Sequence, residues 1–364
     1  MIQPTTTIKR LEYIDAMRGF TMLLVVLGHV IMYSYHESEE TIVTFNQAII
    51  CFRMPLFFFI SGFVFYKATR VWNWETICKF LSKKMMIQIF PTLFFLIIYD
   101  LLFDYNIVDS FLSVTKYGYW FTITLFEYFV FYSVLSFLVE KNNSKWIGIT
   151  IWTFALIGSL FAAELCTLFE NIVPVGCFEL LGINLMRYFC FFFLGTLVKK
   201  HFDYFIKKTD SGLVMGFVIL VFFTEMVFGK RIDSVIMPDG GAPFVLIYEF
   251  RFLLAGVLGI MIVFTFFRKN ESSFTQNTRM GKCLQYVGRR TLDVYLFHYF
   301  FLPRNLEIIG QFFKDNTNPS IELFVSLLIA VWVVLLCLCM SNIFRLSSFM
   351  EHYLFGVKRK HIAK

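Results

Sequence analysis

His29 stands near the far end of the apolar run "RGFTMLLVVLGHV" (residues 18–30), eleven residues after Arg18. Eleven residues of α-helix turn through about 1100°, so the two side chains share a face to within roughly 20° and lie about 16 Å apart along the axis. Ionisable side chains inside apolar spans are costly and by default mark a site. Arg53, Glu127 and Arg251 lie on three further apolar stretches. Counting a 1.5 Å rise from the end of each stretch puts all four groups about 10–13 Å below one surface.

An imidazole in that layer can titrate near neutrality and act as a general base, provided a carboxylate orients its second nitrogen. Glu127 is the candidate carboxylate. Arg53 and Arg251 would favour negative charge on a carbonyl oxygen or an attacking hydroxyl. At the opposite mouth, Arg18 joined by Lys83 and Lys84 suits phosphate groups. Asp15, within about 40° of the face that carries His29, belongs at the same mouth. A ligand held there by its phosphates, with a reactive end reaching His29, has the shape of acyl-coenzyme A. The plainer readings are lysines that snorkel to lipid headgroups, and a structural ion pair between Glu127 and one of the arginines.

These positions need helices that cross a bilayer, and the composition supplies them. The 364 residues are 58% hydrophobic and 20% aromatic, well above the apolar share of a soluble domain at roughly 45–50%; the mean hydropathy is +0.67. Windows of about 20 apolar residues mark ten expected spans, at 17–35, 45–66, 86–103, 118–139, 146–163, 183–198, 212–228, 244–267, 291–312 and 321–344. Lys and Arg number 25 in the tails and even-numbered loops against four in the odd-numbered loops. The positive-inside rule then puts both termini in the cytoplasm. The expectation is an all-α polytopic bundle, one membrane domain over residues 1–364 with cytoplasmic tails at 1–16 and 345–364. The first run is followed by "YSYHESEE" with no small-residue cleavage site, so the first helix is expected to be retained.

The formal charge of +7 follows from loop topology, and no nucleic-acid partner is read from it. The eight cysteines show no CxxC spacing, so no metal is expected. Cys166 and Cys177 share an expected external loop, where pairing is left open. No internal repeat of the transporter kind is visible.

The blocks "RLEYIDAMRGFTMLLVVLGHV", "FRMPLFFFISGFVF", "KKMMIQIFPTLFF", "YWFTITLFEYF" and "YVGRRTLDVYLFHYFF" resemble, in order and over nearly the whole chain, the landmarks of the acyltransferase-3 family of membrane O-acyltransferases. The first is the most specific, with Asp15, Arg18, Gly19 and His29; Pro55, Ser61 and Gly62 mark the second, and Gly288, Tyr295 and His298 the last. The resemblance implies ten helices, a catalytic His29, and an Arg18 that serves function or acyl-coenzyme A binding. Two departures stand out. Ile87 and Gln88 occupy positions where a second basic residue is expected, and Asp293 replaces an uncharged residue. Ser61 is placed with the donor-binding residues, although Ser61-Gly62 also suits close helix approach. His298 reads as a packed or cytoplasm-facing histidine rather than a second base.

The combined expectation is a multi-pass protein of the bacterial cytoplasmic (inner) membrane. It would carry an acyl group, most simply acetyl, from acetyl-coenzyme A to a hydroxyl of a cell-surface carbohydrate, a lipid-linked glycan or another envelope molecule, by direct transfer or through an acyl-histidine. The oligomeric state is open, a homodimer included. The rival readings are a proton-coupled secondary transporter and a catalytically inactive scaffold or sensor.

Overall fold

The structure is a computed structural model that describes residues 11–35, 44–142, 144–169, 175–180, 182–236, 242–316 and 318–355. Every regular element among them is helical. The first is α1 (Glu12–His29), which continues through a π-helical turn over Val30–Ser34. It is followed by α2 (Thr44–Phe65), α3 (Trp74–Lys84), α4 (Phe90–Leu102), α5 (Ile107–Leu112), α6 (Trp120–Lys141), α7 (Lys145–Leu160), α8 (Ala162–Phe169) and α9 (Val175–Leu180). The second half holds α10 (Phe189–Lys200), α11 (Phe202–Thr209), α12 (Gly212–Ile236), α13 (Ala242–Lys269), α14 (Arg279–Arg289), α15 (Thr291–Phe301), α16 (Glu307–Asp315), α17 (Pro319–Phe344) and α18 (Ser348–Phe355).

Among the described residues six helices are long and apolar enough to cross a bilayer: Glu12–Ser34, Ala48–Phe65, Trp74–Leu102, Trp120–Lys141, Val245–Lys269 and Pro319–Phe344. A seventh is gained if Phe202–Thr209 and Gly212–Phe228, bent by 80°, act as one span. The remaining expected spans differ for local reasons. The stretch at 146–163 forms only the 16-residue α7. That at 183–198 begins as a 3-10 helix, Ile183–Tyr188, after Gly182 in the left-handed region (φ 60°). That at 291–312 breaks between α15 and α16, where Pro303 offers no amide donor and Asn305 adopts φ 66°. The span expected at 86–103 instead starts at Trp74, because Asn73 caps it through the Thr76 amide and a π-helical segment, Met85–Ile89, joins α3 to α4. Lys79, Lys83 and Lys84 are therefore helical residues rather than loop residues.

α1 is the most buried of the spans and α17 the least. α1 packs most closely on α14 and also touches α2, α15 and α17. Two glycines allow the closest of these contacts: a Cβ at Gly19 would lie 2.0 Å from the Leu284 carbonyl oxygen, and one at Gly288 only 1.8 Å from that of Asp15. α1 and α14 thus meet backbone to backbone, as small residues permit between membrane helices. An aromatic core fills the rest, with Phe58, Phe59, Phe63, Phe189 and Phe192 buried between α2 and α10.

Replacing Gly288 by Val should force these backbones apart and cost about 1–3 kcal/mol, the usual penalty for overpacking. The expected result is a lower melting temperature of the detergent-solubilised protein; an unchanged one would contradict the packing.

Candidate active site

His29 closes the α-helical part of α1 at the point where the ladder turns π-helical, a distortion common at functional positions. Its Nδ1 lies 2.9 Å from Nε2 of His298, and the two rings are nearly coplanar, edge to edge, with centres 5.0 Å apart and planes 11° apart. His298 is fully buried on α15, with its Nδ1 2.8 Å from the Tyr295 carbonyl oxygen and 3.2 Å from that of Val294. Carbonyl oxygens only accept, so the His298 proton sits on Nδ1 and its Nε2 is an acceptor. His29 then donates from Nδ1, and its own Nε2 keeps a lone pair. The hydroxyl of Tyr299 lies 3.4 Å from that nitrogen.

A cavity of about 140 Å³ opens beside this nitrogen, lined by His29, Tyr33, Arg53, Trp120 and Tyr299 among others. Arg53, buried on α2, reaches across α1 at Gly28, where a Cβ would meet Nη1 at 1.3 Å. Only glycine next to the imidazole leaves room for that guanidinium. The strap before α6 roofs the cavity with Thr115 and Gly118. Gly118 has φ 102°, and a side chain there would strike the Tyr299 ring at about 2.0 Å. Lys116 holds the strap by donating to the carbonyls of Phe111, Ser113 and Glu179 at 2.9, 3.2 and 3.0 Å.

A second, larger cavity of about 480 Å³ lies along α1 towards Arg18. It gathers Arg18, Ser61, Lys83 and Lys84, as their residue types suggested, and adds Lys67 and Arg70. That makes five cations with no carboxylate among the described residues lining it. Arg18 donates to the Thr291 hydroxyl at 3.0 Å, Ser61 to the Phe57 carbonyl at 2.9 Å, and Lys84 sits 4.6 Å from the centre of the Phe129 ring. Gln88 also lines it, its amide donating to the Thr122 carbonyl at 2.8 Å. Phe57, Phe121 and Tyr295 line both cavities and separate them. Ser61-Gly62 serves helix approach too, since Gly62 lies against the Phe192 carbonyl of α10.

Three predicted residues are placed elsewhere. Glu127 is not the group that orients His29: that position belongs to His298. On α6 the cavity-lining residues are Trp120, Phe121, Thr122, Leu125 and Phe129; Glu127 is not among them and lies against Gly182. Arg251 pairs with Glu225 across α13 and α12 at 2.6 Å, and neither is among the described residues lining the two cavities. Asp15 shares the depth of the inner mouth but pairs with Arg289 of α14 at 3.4 Å. His298 is the residue whose importance the sequence understated. Asp293, the unusual charge on α15, is accommodated by Arg345 at 2.7 Å and Ser341 at 2.5 Å. The side chain of Cys177, the expected partner of Cys166, lies outside the described residues.

The helical protein thus holds an imidazole pair beside a small cavity that also contains Arg53, with a strongly cationic cavity next to it. Residues 11–341 match the acyltransferase-3 family, described as an acyltransferase domain. The chain belongs to that family of membrane acyltransferases. Comparison with curated proteins and with solved structures finds no match.

Arg251 and Glu225 should behave as a structural pair. Glu225→Gln removes the carboxylate that faces a partly buried guanidinium and should lower the melting temperature, while acyl transfer by the folded fraction stays within about twofold of wild type, since neither residue lines the two cavities. A selective loss of turnover at unchanged stability would put Arg251 back in the reaction.

Proposed function

We propose that this protein moves an acyl group, most simply acetyl, from acyl-coenzyme A bound from the cytoplasm to a hydroxyl of an envelope carbohydrate, lipid-linked glycan or similar acceptor. The acceptor reaches the site from the outer side or from within the bilayer of a bacterial cytoplasmic membrane. The observation that carries this reading is the lone pair on His29 Nε2, directed to a cavity whose neighbour is lined by five cations.

The donor's phosphates are held in the cationic cavity by Arg18, Lys83 and Lys84, joined by Lys67 and Arg70. From Arg18 to His29 the helix rises about 16 Å. A pantetheine arm, comparable with a four-residue extended chain of about 14 Å, covers nearly all of that rise towards the imidazole. His29 Nε2 accepts the proton of the acceptor hydroxyl as its oxygen bonds to the thioester carbon. Arg53 stabilises the oxyanion that forms there. The C–S bond then breaks, and His29 returns the proton to the departing sulfur. His298 touches neither substrate; it is a positioning residue that fixes the tautomer of His29 and supports the charge that develops on it. Arg251 has no part in this scheme, and the geometry gives Glu127 none.

The cytoplasmic placement of both termini rests on the charge alternation between loops. Ten crossings would need α7, α10 and the α15–α16 pair to act as short or broken spans beside the seven helical candidates.

Release of free coenzyme A thiol from acetyl-coenzyme A, with cell-envelope glycan as acceptor, tests the reading. His29→Ala should lower the rate by at least a hundredfold, as loss of a general base does. His298→Ala should lower kcat about tenfold or more and leave the KM for acetyl-coenzyme A unchanged. Arg18→Gln should mainly raise that KM. Full turnover by a folded His29→Ala protein would end the proposal.

A further inference from the structure

Beside the cationic cavity lies a third, of about 230 Å³, and Phe65, Lys67 and Arg70 line both. Its remaining walls include Trp72, Tyr132, Trp152, Glu140 and Lys200. The chemistry of this groove differs from that of its neighbour. Aromatic rings stand among its polar groups: Tyr132 and Trp152 are 5.0 Å apart, and Trp72 lies 6.3 Å from Tyr132. Arg70 is layered over the Phe65 and Trp72 rings at 5.0 and 5.1 Å, at the junction of the two cavities. Three cations face one carboxylate, and the Trp72 amide already donates to that carboxylate, Glu140, at 2.7 Å.

A flat ring that stacks on indole or phenol, joined to phosphates that meet Lys and Arg, describes a phosphorylated nucleoside. The two joined cavities also divide the donor as its chemistry requires. The cationic one accepts the pyrophosphate and the start of the neutral arm, and the aromatic one remains for the base and for a phosphate on the ribose. Resting on the donor reading above, we propose that this third cavity is the nucleoside subsite, in which Trp152 and Tyr132 stack the adenine and Lys200 engages the ribose 3′-phosphate. Lys200, exposed at the end of α10, has the reach and the charge for that single phosphate. An acyl donor lacking the ribose phosphate is then bound less tightly than coenzyme A itself.

The test measures binding rather than turnover, using the full chain in nanodiscs of zwitterionic lipid with coenzyme A, dephospho-coenzyme A and pantetheine as probes. Wild type should bind coenzyme A about tenfold more tightly than dephospho-coenzyme A, the usual worth of one charge-assisted contact. Lys200→Gln should erase that ratio by weakening coenzyme A alone, and Lys200→Arg should restore it. Trp152→Ala should weaken both nucleotides and spare pantetheine. An equal affinity of wild type for coenzyme A and dephospho-coenzyme A overturns the subsite and leaves the donor reading intact; no binding of any of the three overturns both. If Lys200→Gln instead changes retention of added phosphatidylglycerol and leaves the nucleotide ratio as in wild type, the groove holds lipid headgroups and the proposal fails.

Discussion

The hydrogen bond between His29 and His298 joins the first membrane helix to a short helix 269 positions later, and its polarity is set by the backbone. A helical carbonyl, that of Tyr295, obliges His298 to donate from Nδ1, which obliges His29 to donate from its own Nδ1. An ordinary orienting carboxylate would bring a negative charge into a layer already expensive to ionise. A second neutral imidazole gives the same tautomer without that charge. The neighbouring structure follows: α1 must lie near α15, and Gly28 must be small enough for Arg53 to pass.

α14 and α15 explain how such a contact is kept in register. Gly288 lets α14 rest on the backbone of α1, and α15 begins two residues after Arg289 ends α14. Arg18 contacts Thr291, the first residue of α15, and His298 lies two turns further along the same helix. α1 and α15 therefore meet at two places, at the cationic cavity and at the imidazole pair. This double contact aligns one cavity with the other, and it depends on α14 sitting tightly against α1.

Much of this was legible in the residues. The shared face of Arg18 and His29, the depth of Arg53, and the meeting of Lys83 and Lys84 at the inner mouth all follow from helical geometry and hydropathy. Depth is a one-dimensional quantity that a sequence carries well; rotation of one helix against another is not. Glu127 and Arg251 lie on apolar helices but outside the residues that line the two cavities, and Arg251 is matched by Glu225, a partner on a helix whose pairing no spacing reveals. His298 was undervalued for the complementary reason: its partner is so distant in sequence that only the tertiary fold brings them together. The expected spans are not continuous helices where Gly182 and Pro303 interrupt apolar stretches, since hydropathy averages over the residues that break a helix.

The partition between the two cavities gives one membrane domain two environments, one strongly cationic and one that holds His29. Phe57, Phe121 and Tyr295 come from α2, α6 and α15, with the first two rings 4.8 Å apart and the latter two 5.8 Å apart. Phosphates cannot cross such a wall, because transferring a charge from the cationic cavity into an apolar passage is far too costly. A neutral thioester arm meets no such penalty. Tyr295 contributes to both sides of this selection in different ways: its ring closes the partition, while its carbonyl, fixed in the α15 backbone, holds His298.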